Sequence, residues 1–441
     1  MDAQAMEPGT TAGPFEARPH PIATIAILLL VFSYSGIFMQ MLPVSAPGII
    51  IDWALPATAM ASPMALLLIG TGVGTVVGGA IADTLGRRRA IAVTLALLGL
   101  CLGLASLATT PGLLSIPMFL GGLCMGAMYA STMALVTEVV PVERRPLAIS
   151  FTVASLPVGL GICSLAAAFL LPVIGWRAFF QIAALLSVPV LLAFLWRVPE
   201  SPNFLARMPA RQDEYRRTIA RLGLVPEPVD THAGSAARPP LLARLSAVVR
   251  ANPRSTIGIW GLFCGTYIFG NAILSWLPTA LTRLGFSLPF STGSLTAWSI
   301  ASMLGTPLAG WCLYRFGVRR AAAASAVLGA LAGAALALIA TRHMTSEIAV
   351  LAILPLGGIA SAGVVTALYT LAAEAFPPDV RAMGIGLSDA IGRVGGTLAA
   401  FSGIHIISGY GATLFFGLLA GLMLLVAAYL LWLHPYPAAE G

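Results

Sequence analysis

Apolar residues run along this chain in long stretches, broken at fairly regular intervals by short clusters of glycine, proline and arginine. A helix needs about 20 apolar residues to cross the hydrocarbon core of a bilayer. That length predicts twelve spans: 22–47, 60–82, 90–109, 113–140, 147–171, 177–196, 255–277, 290–316, 320–341, 348–376, 382–408 and 412–433. They fall into two sets of six. The chain therefore reads as a tail (1–21), a first six-helix half (22–197), a polar linker (198–253), a second six-helix half (254–434) and a tail (435–441). In the linker, Tyr215, Ile219 and Leu222 recur at helical spacing and predict a short surface helix. The stretch from Pro226 to Pro240 reads as a linker without regular structure. The expected fold class is an all-α membrane protein.

Composition removes the soluble alternatives. Of the 441 residues 58% are hydrophobic and 9% charged, against roughly 25% charged in soluble domains. All 24 basic residues are arginine, and the net charge of +7 could point to nucleic acid. The arginines, however, sit between apolar spans, so the lipid bilayer is the expected partner and nucleic acid is not. With the N-terminus inside, Arg18, Arg87 to Arg89, Arg144, Arg145, Arg315, Arg319, Arg320, Arg381 and those of the linker are cytoplasmic. Only Arg177, Arg283 and Arg342 fall outside, which predicts both termini in the cytoplasm. The first 21 residues lack a basic n-region and a cleavage site, so the first span is expected to stay as an uncleaved anchor. The five cysteines are scattered through the spans with no metal-ligand spacing, and no metal or cofactor is expected.

Two motifs recur. Gly79-x3-Asp83-x2-Gly86-Arg87-Arg88 predicts a tight, basic hairpin, and it returns 231 positions later as Gly310-x3-Tyr314-x2-Gly317-x-Arg319. Glu138-x2-Pro141-x3-Arg145 returns 236 positions later as Glu374-x2-Pro377-x3-Arg381. Motifs repeated in the same order imply a duplication, with a site between the halves at the membrane midplane. Gly79, Asp83, Gly86, Arg87 and Arg88 are expected to form a gate latch. Glu138 with Arg145 and Glu374 with Arg381 are expected as salt-bridge partners beside it. Gly70-x3-Gly74-x3-Gly78 and Ser388-x3-Gly392-x3-Gly396 make small faces suited to close helix contact.

Enzyme motifs such as HExxH, G-x-S-x-G and the P-loop are missing from the sequence, so neither an enzyme nor an ATP-driven pump is expected. Asp389 and Arg393 lie four residues apart inside a span. Ionisable groups there are costly and mark function, although an ion pair that only satisfies itself is the competing reading. Arg393 could bind a carboxylate and Asp389 a proton. Other candidates for a cavity lining are Tyr34, Ser35, Phe38 and Gln40 in span 1, Tyr129 in span 4, Tyr267 and Asn271 in span 7, Trp298 in span 8 and Tyr369 in span 10. Aromatics and amides beside one arginine suit a small, flat organic anion.

The hairpin motif resembles that of the major facilitator superfamily. Pro199-Glu-Ser-Pro-Asn-Phe-Leu205, Ser275-Trp-Leu-Pro278 and Arg381-Ala-Met-Gly384-x-Gly386 running into Gly392-Arg393 are similar to the aromatic acid:proton symporters within it, with sugar porters as neighbours. The resemblance implies secondary active transport by alternating access, proton-coupled import of a small aromatic carboxylate, a monomer, and a bacterial inner membrane. It also implies that helices 2 and 11 meet, so that their small faces would slide on each other. Efflux of drugs or metabolites, sugar-type transport and a non-transporting sensor are the alternatives. The sequence departs from the pattern at span 1, where Ser35 and Phe38 hold the places of the family's aspartates, at Met118 in place of an arginine, and at Tyr314. Proton coupling is then either absent or carried by Asp389.

Overall fold

The computed structural model describes residues 21–141, 145–206, 208–222, 253–342, 344–376 and 381–432. The two expected tails and the 226–240 stretch lie outside them, apart from Pro21. Every element among the described residues is helical. The first half comprises α1 (Pro21–Asp52), α2 (Ala61–Leu85), α3 (Arg87–Ser106), α4 (Pro111–Glu138) and α5 (Arg145–Arg197). Short α6 (Pro202–Ala206) and α7 (Gln212–Leu222) follow, and α7 is the surface helix expected from Tyr215, Ile219 and Leu222. The second half comprises α8 (Pro253–Arg283), α9 (Leu288–Phe316), α10 (Val318–Thr341), α11 (Glu347–Ala375) and α12 (Arg381–Trp432).

In lipid the backbone must satisfy its own hydrogen bonds, which is why the apolar stretches are helical throughout. Nine helical stretches among the described residues are long and apolar enough to cross a membrane. Two of them, Phe151–Arg197 and Gly384–Trp432, pass through glycine kinks and cross twice; the more polar α9 adds one. That makes twelve crossings. Large side chains such as Val173, Leu185 and Leu425 stand exposed on the outside, as a lipid-facing surface requires.

Four glycines with positive φ punctuate the halves in parallel. Gly86 (φ 94°) ends α2 and starts α3 without a loop, and Gly317 (φ 83°) does the same between α9 and α10. Gly175 (φ 74°) breaks α5 and Gly411 (φ 87°) breaks α12, again 236 positions apart. Only glycine takes such angles without strain. Helix pairing repeats too. Contacts α1–α5, α2–α4, α3–α4 and α3–α5 in the first half correspond to α8–α12, α9–α11, α10–α11 and α10–α12 in the second. The halves meet through α5–α9, α2–α12 and α1–α8. One end of the bundle carries Gly86, Arg145, Gly317 and both ends of the 198–253 connection, and is called the linker end below.

Helices 2 and 11 do meet, as α2 and α12, but their small faces do not pack on each other. Gly70, Gly74 and Gly78 of α2 pack on Phe119, Leu123 and Ala127 of α4, within the first half. Gly392 and Gly396 of α12 pack on Tyr267 and Asn271 of α8, within the second. Small residues bring helices together wherever backbones approach, and here they cement each half internally.

Candidate functional site

The site is assembled where α8, α11 and α12 converge beside the first half. Asp389 lies eight residues inside the start of α12, which is about 12 Å of helix rise. Its Oδ2 accepts from Arg393 Nε at 2.9 Å, one turn on. Its Oδ1 accepts from the hydroxyls of Tyr267 on α8 and Tyr369 on α11, the latter at 2.7 Å. The two hydroxyls stand 3.4 Å apart. Phe263 supports them, with its ring centroid 5.4 Å from that of Tyr369 and 6.3 Å from that of Tyr267. The pair is not sealed: the Asp389 side chain is 15% and that of Arg393 24% exposed. The sequence identified all four residues, but its competing reading of a self-satisfied pair is incomplete, because two tyrosines share the carboxylate.

Gly392 and Gly396 explain how α8 brings polar side chains against α12. A Cβ at Gly392 would stand 3.0 Å from the Tyr267 ring, and one at Gly396 would stand 2.7 Å from the Asn271 amide nitrogen. Between the halves, beside this cluster, lies a cavity of about 150 Å³. Met39, Leu68, Thr71, Met125, Tyr129 and Leu156 of the first half line it, with Tyr267, Asn271 and Arg393 of the second. An engineered cavity of that size admits one benzene ring. Arg393 uses only Nε on Asp389, so its two terminal nitrogens take no acceptor among the described residues.

The other aromatic candidates are not brought to this cavity. Tyr34 is buried and its hydroxyl donates to the Ala183 carbonyl at 2.9 Å, tying α1 to α5. Phe38 packs into the space left by Gly121, and Trp298 into that left by Gly357. Ser35 donates to the Phe32 carbonyl, and Gln40 is buried without a hydrogen-bond partner among the described residues. Sequence reasoning missed the apolar walls Met39, Leu68, Met125 and Leu156, whose composition is that of any core.

At the linker end Glu138 pairs with Arg87 and accepts from the Ser201 hydroxyl. Arg88 donates to the Leu195 carbonyl. Glu200 caps α3, accepting from the backbone N–H of Arg88 at 2.8 Å and of Ser201 at 3.0 Å. Glu138 is thus engaged by the hairpin and by the start of the linker, where Arg145 was the expected partner. Neither Glu200 nor Ser201 was assigned a role from sequence, although both lie in the quoted 199–205 stretch. The repeat is unequal: Tyr314 is 91% exposed and Glu374 is exposed. The surroundings of Gly79 and the side chains of Asp83 and Arg381 lie outside the described set.

Known proteins agree with this architecture. The family profile of the Major Facilitator Superfamily matches residues 26–341 and 294–441. A gallate transporter of Pseudomonas putida is 27% identical, over 90% of each chain. A benzoate transport protein of Acinetobacter baylyi is 28% identical, over 87% of this chain and 82% of its own. Among solved structures, the inward-open xylose transporter XylE of Escherichia coli superimposes with a TM-score of 0.76 at 15% identity, covering 96% of this chain and 98% of its own.

Proposed function

The chain belongs to the major facilitator superfamily of transporters and is not an enzyme, and we propose that it imports a single-ring aromatic carboxylate together with a proton. The observation that carries this reading is Arg393, whose guanidinium lines a ring-sized cavity between the halves while one edge is held by Asp389. Relatives named for gallate and benzoate support the same class.

The geometry offers a coupling scheme. While Asp389 is ionised it holds Arg393 as its counter-charge. A proton on Asp389 removes that charge, and the Tyr267 and Tyr369 hydroxyls can remain bonded to the neutral acid. Arg393 is then available for a substrate carboxylate, bound by charge-assisted hydrogen bonds. Proton and anion therefore favour each other's binding, as a symporter needs. The two halves, 22–197 and 254–434, serve as the rocking bodies of a monomer. The excess of arginine at the linker end supports placing that end and both termini in the cytoplasm of a bacterium, with the protein in the inner membrane. Hairpin residues Gly79, Asp83, Gly86, Arg87 and Arg88, with Glu138, Arg145, Glu374 and Arg381, act as the gate at that end.

Purified protein in liposomes should accumulate labelled benzoate-type acid when the outside is made acidic. Uptake that only equilibrates, whatever the gradient, removes the coupling. Failure of every such acid to enter removes the substrate class.

A further inference from the structure

Two polar groups in the cavity between the halves have no hydrogen bond to the described residues. The Tyr129 hydroxyl is buried beside that of Ser35, which donates to the Phe32 carbonyl, and it makes no hydrogen bond to the described residues; its ring is fixed by stacking on Phe32, with centroids 4.8 Å apart and planes at 27°. Asn271 donates from Nδ2 to the Tyr267 carbonyl at 3.0 Å. A carbonyl can only accept, so the amide cannot turn over, and its Oδ1 is left without a donor among the described residues. The neighbouring polar groups are already used. The Thr71 hydroxyl donates to the Leu67 carbonyl at 2.8 Å, and the Tyr267 hydroxyl to Asp389.

The vacant set is one hydroxyl that can donate and one oxygen that can only accept. Its complement is a group that accepts from Tyr129 and donates to Asn271. A phenolic hydroxyl does both; a halogen, nitro group or carbonyl only accepts, and an ammonium only donates. We infer that Tyr129 and Asn271 form a hydroxyl-reading subsite, and that the cargo is a ring-hydroxylated aromatic acid rather than an unsubstituted one. This rests on reading the cavity as the substrate site with Arg393 for the carboxylate. The occupant would bridge the first half, through Tyr129, to the second, through Asn271 and Arg393. A site whose buried groups await a substrate hydroxyl discriminates strongly against the analogue that lacks it.

The test is equilibrium binding of benzoate, 3-hydroxybenzoate and 4-hydroxybenzoate to the purified full chain. At least one hydroxybenzoate should bind roughly tenfold or more tightly than benzoate, the worth of one well-placed hydrogen bond. In Tyr129→Phe, which keeps the ring stacked on Phe32, that ratio should fall towards one, and in Asn271→Leu likewise. The ratio is internal to each variant, so a loss of folded protein does not imitate the effect. Equal affinities in the native chain, or a ratio that neither variant moves, overturn the hydroxyl subsite and leave the aromatic carboxylate reading standing. Binding of none of the three acids overturns both.

Discussion

Asp389 concentrates the chemistry of this molecule in one carboxylate shared by an arginine and two tyrosines. Removing its charge while keeping its shape separates two roles. Asp389→Asn leaves an amide that cannot exchange a proton, so accumulation driven by a pH gradient should fall to the level of empty liposomes. Counterflow exchange of labelled for unlabelled acid needs no net proton movement and should continue. Loss of both, with the protein still folded in the membrane, would assign Asp389 to structure alone. The pair was legible in the sequence because ionisable residues are costly in an apolar span, and two of opposite charge one turn apart offset that cost together. That Tyr267 and Tyr369 meet at the same oxygen was not legible. It depends on how α8 and α11 are rotated against α12, and no local pattern encodes that rotation. For the same reason Tyr34, Phe38 and Trp298 looked like cavity residues: in a chain this apolar, an aromatic facing a neighbouring helix and one facing a cavity share the same spacing.

At the scale of helices, glycine decides which elements touch. Gly126 of α4 lies so close to α2 that a Cβ would meet the backbone around Thr71 and Thr75, which cannot move aside as a side chain could. Gly126→Ala should therefore destabilise the first half by about 1–3 kcal/mol, read as a lowered midpoint of thermal unfolding in detergent. Gly72, two residues from Gly70 and Gly74 on the same helix, faces open space, and a methyl group there would have nothing within 4 Å. Gly72→Ala should leave the midpoint within a degree or so or raise it slightly, since alanine favours helix. Equal effects of the two substitutions would contradict the packing described for α2 and α4. The sequence named the glycine faces and placed all twelve crossings. It assigned the faces to the wrong partners, since small residues announce a close approach without saying to what. The Glu200 cap on α3 escaped for a related reason: a cap that reaches 112 positions along the chain leaves no mark beside the helix it caps.

The whole molecule is two similar bodies held together at particular places, and the duplication was readable from Gly86 and Glu138 onwards. Part of it went unread: Gly175 with Phe179 and Phe180 returns as Gly411 with Phe415 and Phe416, the same 236 positions away. The one charge there, Arg177, is not repeated at Thr413, so the repeat stands out only once the kinks at both glycines are seen. What the two bodies do relative to each other can be tested where α5 meets α9. There Thr296 donates to the Gly161 carbonyl at 3.3 Å, and a Cβ at Gly161 would lie 3.3 Å from that of Ser299. Disulfide Cβ atoms lie about 3.5–4.5 Å apart, so the two positions can be bridged with a small adjustment. Transport by alternating access requires this contact to open once per cycle. In a chain whose five native cysteines have been replaced, Gly161→Cys combined with Ser299→Cys should turn over normally when reduced. Oxidation should bring both uptake and counterflow down to the level of empty liposomes, and a reductant should restore them. Counterflow that persists in protein shown to be fully cross-linked would mean that the halves do not part along α5 and α9, and the site between them would then have to fill by another route.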